Sequence, residues 1–226
     1  MEIGIIGSGN IGSTLAGYLT KLGYQVKIAN SRGPESLQEI AQRKGAIAVT
    51  SVESAKAKDI VILAIPEKAT VNLPIDILSS SNAIIVHAGN YYPSRDGQVE
   101  AIENGLTDSE WVAAVIGHSV IKAFNNIVAP SLASKALPSG SPNRIALSVA
   151  GNDKKEKEVV MSLIDQIGFD VIDGGLLSDS WRQQPGEPAY CQDLGKEELK
   201  AALQKAVISK RAENRREADE IARPYL

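Results

Sequence analysis

Cysteine is almost absent from this chain. The single Cys191 excludes an internal disulfide, and with only two histidines, His87 and His118, no recognised metal-ligand spacing can be assembled. Charge of one sign is lacking too: 24 Lys and Arg against 27 Asp and Glu leave a net charge of -3, so no basic stripe exists to neutralise nucleic-acid phosphates. The one concentrated basic stretch, Lys205 to Arg216, is interleaved with Glu213 and followed by Glu217, and reads as a solvated helix face. The amino-terminal residues Glu2-Ile3-Gly4-Ile5-Ile6 form a strand with no basic leader and no long apolar run, so neither a signal peptide nor a membrane segment is expected and the cytoplasm is the expected location. No nucleophile elbow and no P-loop appears, and no carboxylate pair stands out from ordinary surface charge.

What is present is an alternation. The apolar runs Ile3–Ile6, Gln25–Ala29, Ala46–Val49, Asp59–Ile65, Ala83–His87, Val120–Phe124, Ile145–Ala150 and Phe169–Ile172 read as strands buried on both faces. Between them the pattern predicts helices over Ile11–Leu22, Pro34–Lys44, Val52–Lys56, Val128–Lys135 and Lys154–Ile167. This is the strand-helix order of a Rossmann-type α/β fold: a doubly wound parallel sheet with helices on both faces. Past Asp173 the pattern changes. Ser178–Gly186 reads as loop or short helix, and Lys196–Ala222 as one long terminal helix with a narrow apolar stripe at Leu199, Leu203 and Ala206. A stripe that narrow leans on one surface, its own domain or a neighbouring subunit, and a homodimer is expected.

Gly7-Ser8-Gly9-Asn10-Ile11-Gly12 follows the first strand and opens a helix, the context in which a G-x-G-x-x-G turn binds a dinucleotide pyrophosphate. Gly7 allows the tight turn, Gly9 lets backbone approach the anion, and Gly12 lets helix and strand pack closely, with the free N–H groups of the helix start facing the ligand. At the end of the second strand, Asn30-Ser31-Arg32 supplies a hydroxyl and a guanidinium where an NAD-preferring domain carries a carboxylate, so NADP is favoured. Ala64-Ile65-Pro66 and Asn90 fall at carboxyl ends of strands, where open α/β sheets bind ligands. His87 reads as the cap of a buried strand, and His118 and Trp111 as structural. Trp181 and Arg182 are candidates for a second substrate's pocket, by stacking and by an anionic contact.

These residues bring a family into view. The chain resembles the coenzyme F420-dependent NADP oxidoreductases, whose nucleotide domain is also similar to the cytosolic domain of the STEAP metalloreductases. The resemblance rests on Gly7–Gly12, Asn30-Ser31-Arg32, Leu63-Ala64-Ile65-Pro66 and Lys122-Ala123-Phe124-Asn125-Asn126-Ile127, and continues through Val149–Asp153, Val159–Ile164 and Asp173–Leu177. It implies that Ser8, Gly9, Asn10 and Ile11 hold the pyrophosphate and Ser31 and Arg32 the 2′-phosphate. It places Pro66 and Thr70 beside the nucleotide, and Ala123 and Asn125 near the nicotinamide.

The expectation is therefore an NADP-binding domain over residues 1–175 and a C-terminal helical extension over 176–226 that completes a substrate pocket or a dimer contact. The expected function is an NADP(H)-dependent oxidoreductase exchanging a hydride with a small redox partner, a deazaflavin such as F420 or a flavin. Such a transfer needs no protein nucleophile and no metal. A non-catalytic NADP(H)-binding regulator is the alternative. A hydroxyacid-type dehydrogenase is a third reading, disfavoured because the residues after Asp173 leave little room for its large helical domain.

Overall fold

The computed structural model describes residues 1–226. Its elements run β1 (Glu2–Ile6), α1 (Asn10–Lys21), β2 (Gln25–Ala29), α2 (Gln38–Lys44), β3 (Ile47–Ala48), α3 (Ser51–Ala55), β4 (Ile60–Leu63), α4 (Ile75–Ser79), β5 (Ile84–His87), α5 (Pro93–Asp96), α6 (Glu100–Glu103) and α7 (Asp108–Ile116). They continue with β6 (Ile121–Lys122), α8 (Ala129–Ser134), β7 (Ala146–Val149), α9 (Lys154–Ile167), β8 (Asp170–Asp173), α10 (Lys196–Lys205) and α11 (Arg211–Ala222).

Six strands form one sheet in the order β3-β2-β1-β4-β5-β6, every pair parallel. This is the doubly wound order, and it reverses direction between β1 and β4, which opens a crevice at their carboxyl ends. The strand period of two divides the core. Ile3, Ile5, Ile60 and Ile62 enter the layer shared with α1 and α9, whereas Ile6, Val61 and Leu63 enter the layer on the opposite face. All of these side chains are buried, and each contributes on the order of 1.5–3 kcal/mol relative to exposure. β7 and β8 form a separate parallel pair, attached to β6 by an antiparallel bridge between Lys122 and Ala150.

Three sequence expectations need correction. First, α4, α5, α6 and α7 occupy stretches with no expected helix; they are short, and α7 is held by a capping box in which Thr107 Oγ1 accepts from the Glu110 N–H at 3.0 Å and Glu110 accepts from the Thr107 N–H at 2.8 Å. Second, the long terminal helix is broken. Ala206 adopts an extended conformation, with φ -63° and ψ 135°, and a 3-10 turn over Ile208–Lys210 redirects the chain into α11. The two halves bury different surfaces, which one straight helix could not present. α10 lays Leu199, Ala202 and Leu203 against Ala146 and Ala189, so the apolar stripe is covered by the chain itself. α11 buries Arg211, Arg215 and Asp219, spaced four residues apart on one face. Third, two carboxylates do stand apart from surface charge: the side chains of Glu67 and Asp108 lie inside the protein.

No helix is long and apolar enough to cross a membrane.

Candidate functional site

The turn after β1 is built around close approaches. Gly7 has φ +117°, and a Cβ there would lie 2.1 Å from the Ala64 carbonyl oxygen. A Cβ on Gly12 would lie 1.9 Å from the Gly7 carbonyl oxygen, so α1 can sit on the turn only without a side chain. Gly9 differs: no atom lies within 4 Å of where its Cβ would be. The first bond of α1 runs from the Ser13 N–H to the Gly9 carbonyl at 2.9 Å, and the N–H groups of Ser8, Gly9, Asn10, Ile11 and Gly12 have no acceptor in the protein. No side chain caps this helix and no acidic residue stands in its first turn. Consecutive free donors at the positive end of a helix, beside an open cradle, fit a pyrophosphate.

Asn30, directly after β2, organises the adjoining loop. Its Oδ1 accepts from the Arg32 N–H at 2.9 Å, and its Nδ2 donates to Ser36 Oγ at 3.0 Å and reaches Ser8 Oγ at 3.5 Å. Ser31 and Arg32 are exposed, and the Arg32 guanidinium has no hydrogen-bond or ion-pair partner. Sequence reasoning missed two further cations here. Arg43 and Lys44, in the last turn of α2, line a cavity of about 630 Å³ together with Ser8, Gly9, Asn10 and Ser13. Basic residues ending a helix are ordinary, and only the fold shows that this end faces the glycine turn.

Beyond the glycine turn a crevice of about 520 Å³ runs along the carboxyl ends of β1, β4, β5 and β6. Gly9, Asn10 and Ile11 form one end, Ala64, Ile65 and Pro66 one wall, and Asn90 and Asn125 the floor. The two asparagines lock each other: Asn90 Nδ2 donates to the Asn125 carbonyl, and Asn125 Nδ2 to Asn90 Oδ1, both at 3.0 Å. Gln183 holds Asn125 from behind, with Nε2 2.8 Å from its Oδ1. Thr70 and Ala123 are buried and do not reach the crevice. Trp181 and Arg182 are not in it either. Trp181 is buried, and Arg182 lies over its ring, 5.4 Å from the centroid, and faces a separate cavity of about 590 Å³ with Asp173, Asp179, Lys196 and Lys200. The 3-10 geometry of Leu177–Gln183 turns successive side chains apart and sends Gln183, rather than Trp181, toward the crevice.

Aromatic residues absent from the sequence reading line the far side. Tyr92 and Tyr190 touch through their hydroxyls at 2.7 Å, and Arg95 lies 5.4 Å from the Tyr92 ring centroid. Burial pushes both phenols above their ordinary range, so they remain protonated at neutral pH. Phe124 and Cys191, at φ +65° and +53°, also line the crevice. Left-handed backbone at such residues costs of order 1–3 kcal/mol, and strain of this kind collects at ligand sites.

Beneath the crevice lies a buried ionic cluster. Lys122, with no exposed surface, donates to both Asp108 oxygens at 3.0 Å, to the Gly89 carbonyl at 2.6 Å and toward His87 Nδ1 at 3.4 Å. His87 is indeed the last residue of β5, but it is more than a cap: Nδ1 is 2.8 Å from Ser109 Oγ and Nε2 3.2 Å from Glu67. Gln184 donates to Asp108 at 2.7 Å. Burial works to raise the Asp108 pKa, but the adjacent Lys122 and His87 outweigh it and hold the carboxyl below its usual range. Trp111 packs at the margin of the second core layer and His118 binds the Ser81 and Ser119 carbonyls, both consistent with structural roles.

Comparison with known proteins agrees with this architecture. The family model described as NADP oxidoreductase, coenzyme F420-dependent, matches residues 2–91. The protein YjhV of Escherichia coli K12 is 39% identical over 79 residues, which cover 35% of this chain and 56% of that protein, so the match spans little more than half of that relative's length. The solved structure of hypothetical protein SMa0349 from Sinorhizobium meliloti superposes with a TM-score of 0.72 at 34% identity, over 87% of this chain and 96% of that one. A protein of Arthrobacter sp. FB24, provisionally described as an F420-dependent NADP-reductase, shares the fold at 23% identity, with a TM-score of 0.66 over 80% of this chain and 87% of that one. With the glycine turn, the doubly wound sheet and the near full-length likeness to the Sinorhizobium protein, the chain belongs to the coenzyme F420-dependent NADP oxidoreductase family.

Proposed function

We propose that this protein transfers a hydride between NADPH and a flat, deazaflavin- or flavin-type ring. The observation that carries the proposal is the continuity of the site: unpaired N–H groups and Gly9 at one end, and an open, tyrosine-walled crevice at the other. The residues fit the cofactor. Ser8 to Gly12 would hold the pyrophosphate, and Ser31 and Arg32, with Asn30 shaping their loop, the 2′-phosphate. Ala64, Ile65, Pro66, Asn90 and Asn125 would line the nicotinamide end. Thr70 and Ala123 would support it from beneath. When bound, NADPH supplies a hydride and becomes NADP⁺, and the acceptor gains that hydride and takes one proton from solvent.

The chain's own contribution is alignment and exclusion of water, and the transfer draws on no protein nucleophile. Tyr92 and Tyr190 offer ring faces and hydroxyl donors. Their protonated state suits recognition of ring carbonyls rather than proton abstraction. Residues 176–226 supply Tyr190 and Cys191 to the crevice, which supports the proposed division near residue 175. A homodimer belongs to the same proposal, now resting on the exposed Ile208 and Ile221 rather than on Leu199 and Leu203.

The test is anaerobic NADPH oxidation against F420, FMN, FAD, quinones and ferric chelates. Acceleration by a deazaflavin or flavin is the expected result. NADPH binding without turnover of any acceptor would favour the regulator instead.

A further inference from the structure

Lys122 does more than balance Asp108. Its third contact is the Gly89 carbonyl, at 2.6 Å. That oxygen belongs to the same peptide unit as the N–H of Asn90. No peptide bond in the chain is cis, and in a trans peptide the C=O and N–H point in opposite directions. With the carbonyl drawn inward to a wholly buried ammonium, the Asn90 N–H is directed away from the interior, on the side where Asn90 lines the crevice. It has no acceptor in the protein.

The next peptide repeats the arrangement: Arg95 Nη2 donates to the Asn90 carbonyl at 2.5 Å, and the Tyr91 N–H also lacks an acceptor. The reciprocal amide bonds between Asn90 and Asn125 prevent this turn from swinging. Gly89 is required where it is, since a Cβ there would lie 2.7 Å from His87 Nε2 and 2.9 Å from the Ile65 carbonyl.

We propose that the Asn90 N–H, polarised through the Gly89 carbonyl by Lys122, is a fixed donor for the second substrate and selects acceptors whose hydride-receiving position is conjugated to a ring carbonyl. The inference rests on the hydride-transfer reading above and names the substrate class for that site. As a C–H bond of the dihydronicotinamide breaks, a C–H bond forms at the central-ring carbon of a deazaflavin or an N–H bond at the corresponding ring nitrogen of a flavin. The electron pair displaced within the acceptor collects on its conjugated carbonyl oxygen or ring nitrogen. The developing anion is then protonated from solvent. A donor already oriented and charge-assisted stabilises that anion more than the neutral ring. Cyclic diones such as flavins and deazaflavins meet the requirement, and ferric chelates do not. Lys122 is here a positioning residue, since it acts through the Gly89–Asn90 peptide and never touches the ring.

The experiment follows the Asn90 amide by ¹H–¹⁵N NMR in the full chain with NADP⁺ bound, with and without FMN, alongside steady-state kinetics with FMN and F420. In the wild type, FMN should shift the Asn90 resonance downfield. In Lys122→Met the free resonance should lie upfield and its response to FMN should shrink. The same variant should lower kcat about tenfold, less than the roughly hundred- to thousandfold cost of deleting such a donor outright, because the Asn90 N–H remains but loses its orientation and polarisation, while NADPH affinity stays within about twofold. Should Lys122→Met fail to fold for want of a partner for Asp108, the double variant Lys122→Met/Asp108→Leu removes the pair together, a change that buried pairs often tolerate. Ser109→Ala is the structural control: it cuts hydrogen bonds to His87 and to Asp108 in the same cluster but leaves Lys122 its own bonds to Asp108 and Gly89, and should leave the Asn90 resonance and kcat near their wild-type values. An Asn90 amide indifferent to FMN, or equal losses of kcat in Lys122→Met and Ser109→Ala, would overturn the proposal. If the wild type reduces no ring acceptor but FMN still shifts Asn90, the hydride-transfer reading fails and the donor assignment stands.

Discussion

Replacing Gly9 by alanine adds one methyl group at a place where the protein itself offers no obstacle. The backbone there, at φ -67° and ψ -170°, is extended and open to any residue, and nothing lies within 4 Å of the new carbon. Removing a glycine without strain restricts the unfolded chain and stabilises by about 0.4–1 kcal/mol. The melting temperature should therefore hold or rise. The same methyl occupies the cradle in front of the free N–H groups of Ser8 to Gly12. Lifting a pyrophosphate away from even one charge-assisted bond forfeits about 1.5–3 kcal/mol, or about ten- to a hundredfold in affinity. Gly12→Ala inverts the pattern. Its methyl would stand 1.9 Å from the Gly7 carbonyl oxygen, so α1 must leave its seat and the melting temperature should fall. The assay pairs thermal unfolding with a NADPH fluorescence titration for each variant. A Gly9→Ala protein that melts normally and binds NADPH as tightly as wild type would refute the assignment of this turn to the pyrophosphate.

Arg32→Ala should weaken NADPH on the order of ten- to a hundredfold and leave NADH nearly unchanged, and Ser31→Asp should move the preference toward NADH; equal losses for both cofactors would remove Arg32 from the 2′-phosphate site. Because the Asp108 pKa is depressed in the folded state, its stabilisation is present above the unfolded-state value of about 3.9 and is lost as pH falls through that value toward the folded one. Urea-unfolding free energy should thus drop below about pH 4, and less steeply in Lys122→Met/Asp108→Leu; identical slopes would remove Asp108 from acid unfolding. Burial pushes the Cys191 thiol up to about 11, so alkylation by iodoacetamide at pH 8 should be much slower than for an ordinary exposed thiol, despite its place on the crevice.

The sheet was legible because its strands are written as short runs of Ile and Val between turn residues, without the polar alternation of a half-exposed strand. The glycine turn was legible for a related reason: strand, glycines and helix are contiguous. Between Pro66 and Ile116 less was seen. α4 to α6 are too short to show a helical period, although Thr107 and Glu110 stood three apart as a capping signal that could have located α7. The break after Lys205 also left a trace, since Val207-Ile208 places two β-branched residues side by side in an otherwise favourable helical stretch. The ionic cluster left only a partial trace. His87 and Lys122 sit in runs read as buried strands, but Glu67, Asp108 and Gln184 stand in local contexts typical of surface residues, and only the sheet order and the fold of the C-terminal segment bring the five together.

Burial of charge also explains how so polar a helix as α11 keeps its place. Its inward face is Arg211, Arg215 and Asp219, and each meets a specific partner rather than an apolar layer. Arg211 donates to the Gly105 and Leu106 carbonyls at 2.9 and 2.6 Å, Arg215 to Glu103 at 2.5 Å, and Asp219 accepts from the Ser94 N–H and hydroxyl at 3.0 and 2.8 Å. An apolar stripe would allow the helix to slide by a turn at little cost, whereas these pairs are satisfied in one register only, and a buried charge without its partner costs several kcal/mol. The partners all lie between Ser94 and Leu106, the segment that follows Asn90 and Tyr92. Arg211 also reaches Gln184, which donates to Asp108, which holds Lys122. The terminal helix is in this way joined through four side chains to the Gly89 carbonyl. The position of the crevice floor therefore depends on residues more than a hundred positions away in sequence, through hydrogen bonds rather than through the hydrophobic core.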